Sequence, residues 1–373
     1  MSKWEEKRLE DIIDVNPPVK LKKGESYPFI DIDKVSPTRR SVTNEEVKIY
    51  DGQSSSKFCD GDTVFSRITP CLENRKIAKV AIEGDAAFGS TEFYVFRAKK
   101  KKADARFTYY LTSSDAVVLP AINSMTGASG RQRADKRFIQ RLKLNLPDLP
   151  TQERIADILS AYDDLIEANN RRIELLEQTA QELYKEWFVR FRFPGYENAK
   201  FEDGIPEGWE CCRLGKILSF GAGKTRPKSG ETYPVYGGNG ILDYCNNYNS
   251  ENAIIIGRVG VYCGTVYYEP DKCWISDNAL FAESKNSMHF YNYYLLKNMN
   301  LNARQIGTGQ PLITQGLLNK IRILLPAESL MMKYNQIASE LLKQQDLLRK
   351  MNVNIAAQRD MLLPRLMSGK LEV

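Results

Sequence analysis

Histidine is almost absent: the 373 residues contain one, His289. A metal site built on imidazoles, or a Ser-His-Asp triad, would rest wholly on it. It reads more simply as the opening of an aromatic helix with Phe290, Tyr291, Tyr293 and Tyr294. The 7 cysteines are odd in number and include no Cys-x-x-Cys pair, which signals neither a disulfide framework nor a zinc ribbon. No apolar run reaches about 18 residues, so no membrane span is expected. The opening Met1-Ser2-Lys3-Trp4-Glu5-Glu6 lacks the apolar stretch of a secretion signal, and a cytoplasmic protein is expected.

Hydrophobic residues make up 42% and aromatics 10%, enough to pack cores in a chain of two-domain length. The net charge of +6 permits nucleic-acid binding without requiring it. Cations cluster at 99–102, where a solvated loop is the plainer reading, and at Arg131, Arg133, Lys136 and Arg137.

The same plan occurs twice. Trp and Leu stand five residues apart at Trp4 and Leu9, and again at Trp209 and Leu214. A Leu-Pro pair follows each at a distance, Leu146-Pro147 and Leu325-Pro326. Between these landmarks both segments read as short strands punctuated by Gly and Asp, then a helix. The first has strand-like runs at Pro28, Asp62, Ala78 and Glu92 and a helix with Phe107, Tyr110 and Leu111. The second has runs at Tyr233, Ala253, Gly264 and Ala279 and a helix with Phe290, Tyr294 and Leu295.

A long heptad seam follows each globular segment. Ile155, Leu159, Tyr162, Ile166, Asn169, Ile173, Leu176, Ala180, Leu183 and Trp187 keep steps of four and three. Thr151 is the expected N-cap and Phe193-Pro194-Gly195 the stop. Tyr334, Ile337, Leu341, Gln344, Leu348, Met351, Ile355, Gln358 and Leu362 form the second seam, ended by Pro364 and Gly369. The expected architecture is α+β: two mixed globular heads separated by two long antiparallel helices in a coiled coil, with a pseudo-twofold repeat. Its segments are 1–150, 151–193, 194–328 and 329–373. The last helix returns antiparallel and brings the end of the chain back toward its start. The first helix spans roughly 48 Å at 1.5 Å per residue, or about 14 base pairs of DNA.

Sets of residues that would do chemistry are incomplete. Gly221-Ala222-Gly223-Lys224-Thr225 resembles the end of a phosphate loop, but Leu218 stands where its first glycine belongs. Asn16-Pro17-Pro18-Val19 resembles an adenine methyltransferase motif, yet Val19 has no ring to stack a flipped base. Glu46-Val47-Lys48 lacks a Pro-Asp strand end to complete a nuclease site. Binding residues are better represented. Arg67 and Arg258 follow equivalent strands. Arg131, Gln132 and Arg133 in the first head, and Lys224, Arg226, Asn239, Thr308 and Gln310 in the second, lie in polar or glycine-rich loops. Arg suits guanine and Asn or Gln suits adenine in the major groove, and the cations suit phosphates. Turn chemistry, or a loop-closing role for Arg67 and Arg258, is the alternative reading of these residues.

Several stretches together resemble the specificity subunit of type I restriction–modification systems, over essentially the whole chain. They begin at Leu146 (Leu-Pro-Asp-Leu-Pro-Thr-Gln-Glu-Arg-Ile-Ala-Asp-Ile-Leu), Leu183 (Leu-Tyr-Lys-Glu-Trp-Phe-Val), Gly204 (Gly-Ile-Pro-Glu-Gly-Trp), Tyr233 (Tyr-Pro-Val-Tyr-Gly-Gly-Asn-Gly-Ile) and Leu362 (Leu-Leu-Pro-Arg-Leu-Met-Ser-Gly-Lys-Leu). Met331-Met332-Lys333-Tyr334 departs from the Gln-Glu pattern seen at Gln152-Glu153. The resemblance implies two target recognition domains on double-stranded DNA, each reading half of a bipartite target. It implies helices that dock two copies of a methyltransferase subunit, and a restriction and translocation subunit joining them. S-adenosylmethionine, ATP and magnesium would belong to those partners, with no catalysis in this chain. Two other readings remain at this stage. One is a coiled-coil adaptor whose heads bind proteins or sugars, with no salt-sensitive DNA affinity. The other is a stand-alone methyltransferase built on Asn16-Pro17-Pro18, which would bind the methyl donor by itself.

Overall fold

The structure, a computed structural model, describes residues 4–44, 46–304 and 311–373. It forms two compact units, Met1–Ala168 with Met351–Val373, and Asn169–Lys350. The division falls inside both long helices, so each unit holds one globular head and a part of each helix.

Each head has its own sheet of the same plan. In the first unit its strands run, in spatial order, Ile13–Val15, Phe93–Ala98, Thr63–Ser66, Ile77–Ala81 and Ser41–Thr43. The first three pairings are antiparallel and the last is parallel. In the second unit the order is Leu218–Ala222, Ala279–Ser284, Ser250–Gly257, Val266–Ile275 and Tyr233–Gly237, with the same senses. The heads diverge beyond this point. The second adds the hairpin strand Gly240–Cys245 to the same sheet. The first builds a separate four-stranded sheet from Glu46–Ile49, Ser26–Ile30, Ala87–Gly89 and Ser56–Phe58.

The shared sheets are apolar on both faces, as strand alternation requires when both are covered. Phe65 and Phe96 pack toward helices carrying Phe107, Leu111 and Val117, while Val64 and Val95 pack toward the second sheet through Ile30 and Phe58. In the second head Ile254 and Ile256 join Tyr291 and Leu295, and Ile255 faces Cys273 and Ile275. The Trp…Leu and Leu-Pro landmarks are the two ends of each head tied together. Trp4–Arg8 pairs with Lys143–Pro147, and Glu210–Arg213 with Arg322–Leu325. The ties continue through Leu9 N–H to Leu142 O at 2.9 Å and Leu214 N–H to Ile321 O at 2.8 Å.

The central helix runs Leu149–Tyr184 and continues as one wide π turn, Lys185–Val189, ahead of Phe193-Pro194-Gly195. Its cap is Asp148 rather than Thr151. The Thr151 N–H donates to Asp148 Oδ1 at 3.2 Å, and Pro150 sits in the first turn, where no N–H is needed. Along it Ile155, Leu159 and Asn169 are buried, Ile166, Ile173, Leu176 and Leu183 are half-buried, and Trp187 is buried. The terminal helix, Glu328–Met367, runs through Pro364 and stops at Gly369, so Pro364 does not end it. Its seam departs from the heptad reading. Ile337 is 40% exposed and Gln344 and Met351 are exposed, while Tyr334, Ala338, Leu342, Gln345 and Leu348 are buried. Leu341, Ile355 and Leu362 are half-buried. This helix is covered by the second head as well as by the central helix, which rotates and widens its apolar stripe. Within the first unit, Trp4 packs against the chain's end: a Cβ on Gly369 would lie 2.9 Å from its ring.

Each head is fixed to the central helix by a tyrosine. Tyr110 Oη donates to the buried carboxylate of Asp163 at 2.6 Å, which Arg359 of the terminal helix also engages. In the second unit Tyr294 Oη donates to Glu177 at 3.1 Å, which Lys297 also engages. The tyrosines occupy the same place in related runs, Phe107-Thr108-Tyr109-Tyr110-Leu111 and Tyr291-Asn292-Tyr293-Tyr294-Leu295. Burial, then the neighbouring carboxylate, pushes both phenols well above their ordinary range, so each remains a donor. Tyr110→Phe should therefore lower the unfolding free energy by about 1.5–3 kcal/mol, the scale of a hydrogen bond to a charged group. Tyr294→Phe, with the longer bond, should cost less. Denaturant unfolding checks both, and a Tyr110→Phe loss under about 0.5 kcal/mol would contradict the clamp.

Candidate nucleic-acid interface

The two strand-end arginines stand in one backbone frame. Arg67 N–H donates to Glu92 O at 2.9 Å, and Arg67 O accepts from Ala134 N–H at 2.8 Å. Ile68 forms a bridge with Arg133, and Thr69 N–H donates to Gln132 O at 3.0 Å. In the second head Arg258 N–H donates to Asn278 O at 3.1 Å, and Arg258 O accepts from Ile313 N–H at 2.9 Å. Val259 bridges Leu312, and Gly260 N–H donates to Pro311 O at 3.2 Å. Four matched contacts put Arg67 and Arg258 at one structural position, beside a returning segment that carries Gln132 and Arg133 in the first head.

The side chains around that frame differ. In the first head Glu92, 20% exposed at its side chain, gathers two arginines. Arg67 Nε donates to it at 3.2 Å and lies over the Tyr94 ring, while Arg133 engages it through two nitrogens, with Nε at 2.9 Å. The hydrogen bond from Arg133, ahead of Arg67's charge, holds the Glu92 carboxyl below its usual 4.5. The stabilisation is therefore present above pH 4.5 and is lost as pH falls through the depressed folded value. Arg131 is exposed and engages no side chain among the described residues, and Gln132 is half-buried with its N–H on Thr69 Oγ1 at 3.1 Å.

In the second head the turns converge on Arg258. Lys224 is exposed, with its N–H on Ile275 O and a bridge to Ser276. Asn239 is exposed in the turn before Gly240–Cys245, and a Cβ on the adjacent Gly238 would lie 3.1 Å from Val259 O. Arg258 is half-buried, reaches Asp277 O at 3.4 Å, and keeps its Nε buried without a partner among the described residues. Arg226 stands apart in the loop before Tyr233–Gly237, paired with Asp243 of the hairpin. The Ser229 hydroxyl, the Tyr244 N–H and Arg226 together push the Asp243 carboxyl down to about 2. Thr308 and Gln310 lie outside the described residues. The structure thus brings together Arg67, Gln132 and Arg133 in one head, and Lys224, Asn239 and Arg258 in the other.

The remaining motifs have structural duties. Asn16 holds a positive φ of 57° and clips a strand edge, accepting from Val95 N–H at 2.9 Å and donating to Val95 O at 2.7 Å. Gly221 lies in the strand Leu218–Ala222, not in a loop that opens a helix. His289 is packed against Tyr268 and Phe290, and burial pushes its pKa down to about 4. Among the described residues no cluster of His, Cys, Asp or Glu fits a metal ion, and no helix is long and apolar enough to cross a membrane. The tyrosine clamps were not read from the sequence, although the repeated Tyr-Tyr-Leu was available to mark them.

The family model described as "Type I restriction modification DNA specificity domain" matches residues 1–178 and 206–352. The chain belongs to that family. It is 23% identical to the type I restriction enzyme MjaIX specificity subunit of Methanocaldococcus jannaschii, over 99% of this chain and 94% of that one. It is 27% identical to the putative type I restriction enzyme MjaX specificity subunit of the same organism, with the same coverage. Among solved structures, the type I restriction-modification S subunit from M. genitalium shares its fold with a TM-score of 0.56 at 16% identity, over 98% of this chain and 96% of that one. As in other members of a DNA specificity family, the task of this chain is recognition of a DNA target.

Because the single charge of Glu92 engages two arginines at the matched frame, Glu92→Gln should raise affinity for unrelated duplex DNA. It should also steepen the plot of log K against log salt by about one to two units, one per freed cation. An unchanged slope in filter-binding or anisotropy titrations would show that Glu92 does not mask them.

Proposed function

We propose that the chain is the sequence-reading subunit of a type I restriction–modification complex, with each head reading one half of a bipartite target. The observation that carries this is the matched frame with unlike contents. Arg67 and Arg258 share four backbone contacts. Their neighbours are Glu92, Gln132 and Arg133 in one head and Asn278, Pro311 and Leu312 in the other. One scaffold bearing different side chains is what two different DNA words require.

In this reading the helices hold the heads apart and dock two methyltransferase subunits, and a restriction and translocation subunit completes the nuclease. The chain itself performs no chemistry. S-adenosylmethionine, ATP and magnesium act in the partners, and the assembly works in the cytoplasm on double-stranded DNA.

Methylated bases in the host genome, mapped with and without this gene, give the target directly. Arg258→Ala should relax one half of it and leave the other half intact, at a cost of about 1–3 kcal/mol in affinity. Seven residues added to each helix should lengthen the unread spacer by about three base pairs, since seven residues rise roughly 10.5 Å. An unchanged spacer sinks the role of the helices as a measure of distance. Loss of both halves in Arg258→Ala sinks the division of labour.

A further inference from the structure

The loop after Arg258 displays an apolar side chain in water. Val261 is 90% exposed, the highest value of any large apolar residue among the described residues, and Tyr262 beside it is 49% exposed. The loop is held firmly. Gly260 N–H donates to Pro311 O, Cys263 N–H to Gly260 O at 3.0 Å, Gly264 N–H to Gly257 O at 2.8 Å and Thr265 N–H to Tyr262 O at 3.1 Å. Gly260 and Gly264 supply the positive φ values, 82° and 89°, that such a tight reversal needs. Leu301 and Asn302 close in behind, with Asn302 N 2.6 Å from where a Cβ on Gly264 would stand. A turn that spends its backbone groups internally presents its side chains outward with little ordering left to do on binding.

The surroundings are cationic. Arg258 and Lys224 stand on the same or adjoining turns with the exposed Asn239, and Asp277 adds one carboxylate. The first head has an equivalent tip. Thr69 N–H contacts Gln132 O as Gly260 N–H contacts Pro311 O, and the next residue, Pro70, is exposed. Both heads therefore place an exposed apolar residue three positions after the matched arginine.

We propose that Val261 and Pro70 are apolar base contacts, pressed by their heads against thymine methyl groups and other apolar parts of the half-site bases. The charge around Val261 fits a duplex rather than an apolar protein face. This inference rests on the DNA-reading function above and adds residues that reading did not include. An apolar contact distinguishes bases but releases no counterions, so it leaves a signature different from that of a phosphate contact.

The test starts with selection from a randomised 40-base-pair duplex pool by the full chain, followed by titration of the selected duplex over a salt series. Val261→Ser should weaken binding to that duplex by about 5- to 20-fold, the usual scale for one lost base contact. It should leave the salt slope, the affinity for unrelated duplex and the melting temperature unchanged, and relax one half of the selected motif only. Val261→Leu, which keeps an apolar surface at the tip, should retain binding within about threefold. Binding by Val261→Ser within about twofold, with the same motif, overturns the inference, as does a loss accompanied by a changed salt slope. If the unaltered chain selects no sequence at all, the DNA-reading function falls first and the tip contact with it.

Discussion

A carboxylate held by a tyrosine is the contact on which each half of this molecule depends. Asp163 and Glu177 lie two heptads apart on one helix, and each receives a hydrogen bond from the second tyrosine of a Tyr-Tyr pair in a head. A cation completes each site, Arg359 in one and Lys297 in the other. Hydrophobic burial holds a head on a helix but does not set its direction. A charge-assisted bond of 2.6 Å does, and it contributes on the scale of about 1.5–3 kcal/mol. The frame that carries Arg67 or Arg258 is only as well placed as the head that bears it.

With the heads fixed in this way, the two share a frame and differ in what is built around it. The five-strand order and its senses are the same in both heads, and so are the contacts around the two arginines. The additions differ: a separate four-stranded sheet in one head, an extra hairpin strand in the other. So does the electrostatics. Glu92 restrains two arginines, whereas Arg258 keeps a buried Nε without a partner among the described residues. A shared scaffold with unlike surfaces is consistent with a family whose members recognise DNA targets.

Much of this was legible in the sequence where periodicity and position carry the signal. The Trp…Leu and Leu-Pro landmarks are paired strands, and the central seam from Ile155 to Trp187 is buried or half-buried throughout. The terminal seam was less legible because apolar residues occur there in adjacent pairs, such as Leu341 with Leu342 and Leu347 with Leu348. Heptad spacing alone chose Ile337 and Gln344, while packing against the second head chose Ala338 and Gln345. Caps and clamps were missed for a different reason. Asp148 and the Tyr110–Asp163 bond are contacts between residues whose relation appears only when the chain is folded. Arg67 and Arg258 were matched from sequence, but the restraint of Arg67 by Glu92 and the contacts both arginines share with the returning segment were not visible there.

The central claim is that two equivalent frames read two different half-sites. The most direct measurement replaces the second head by a copy of the first, joined at the same helix positions, and maps the methylated motif in a host carrying the partner subunits. The account predicts a symmetric target made of two inverted copies of the first head's half-site. An unchanged asymmetric motif would contradict it.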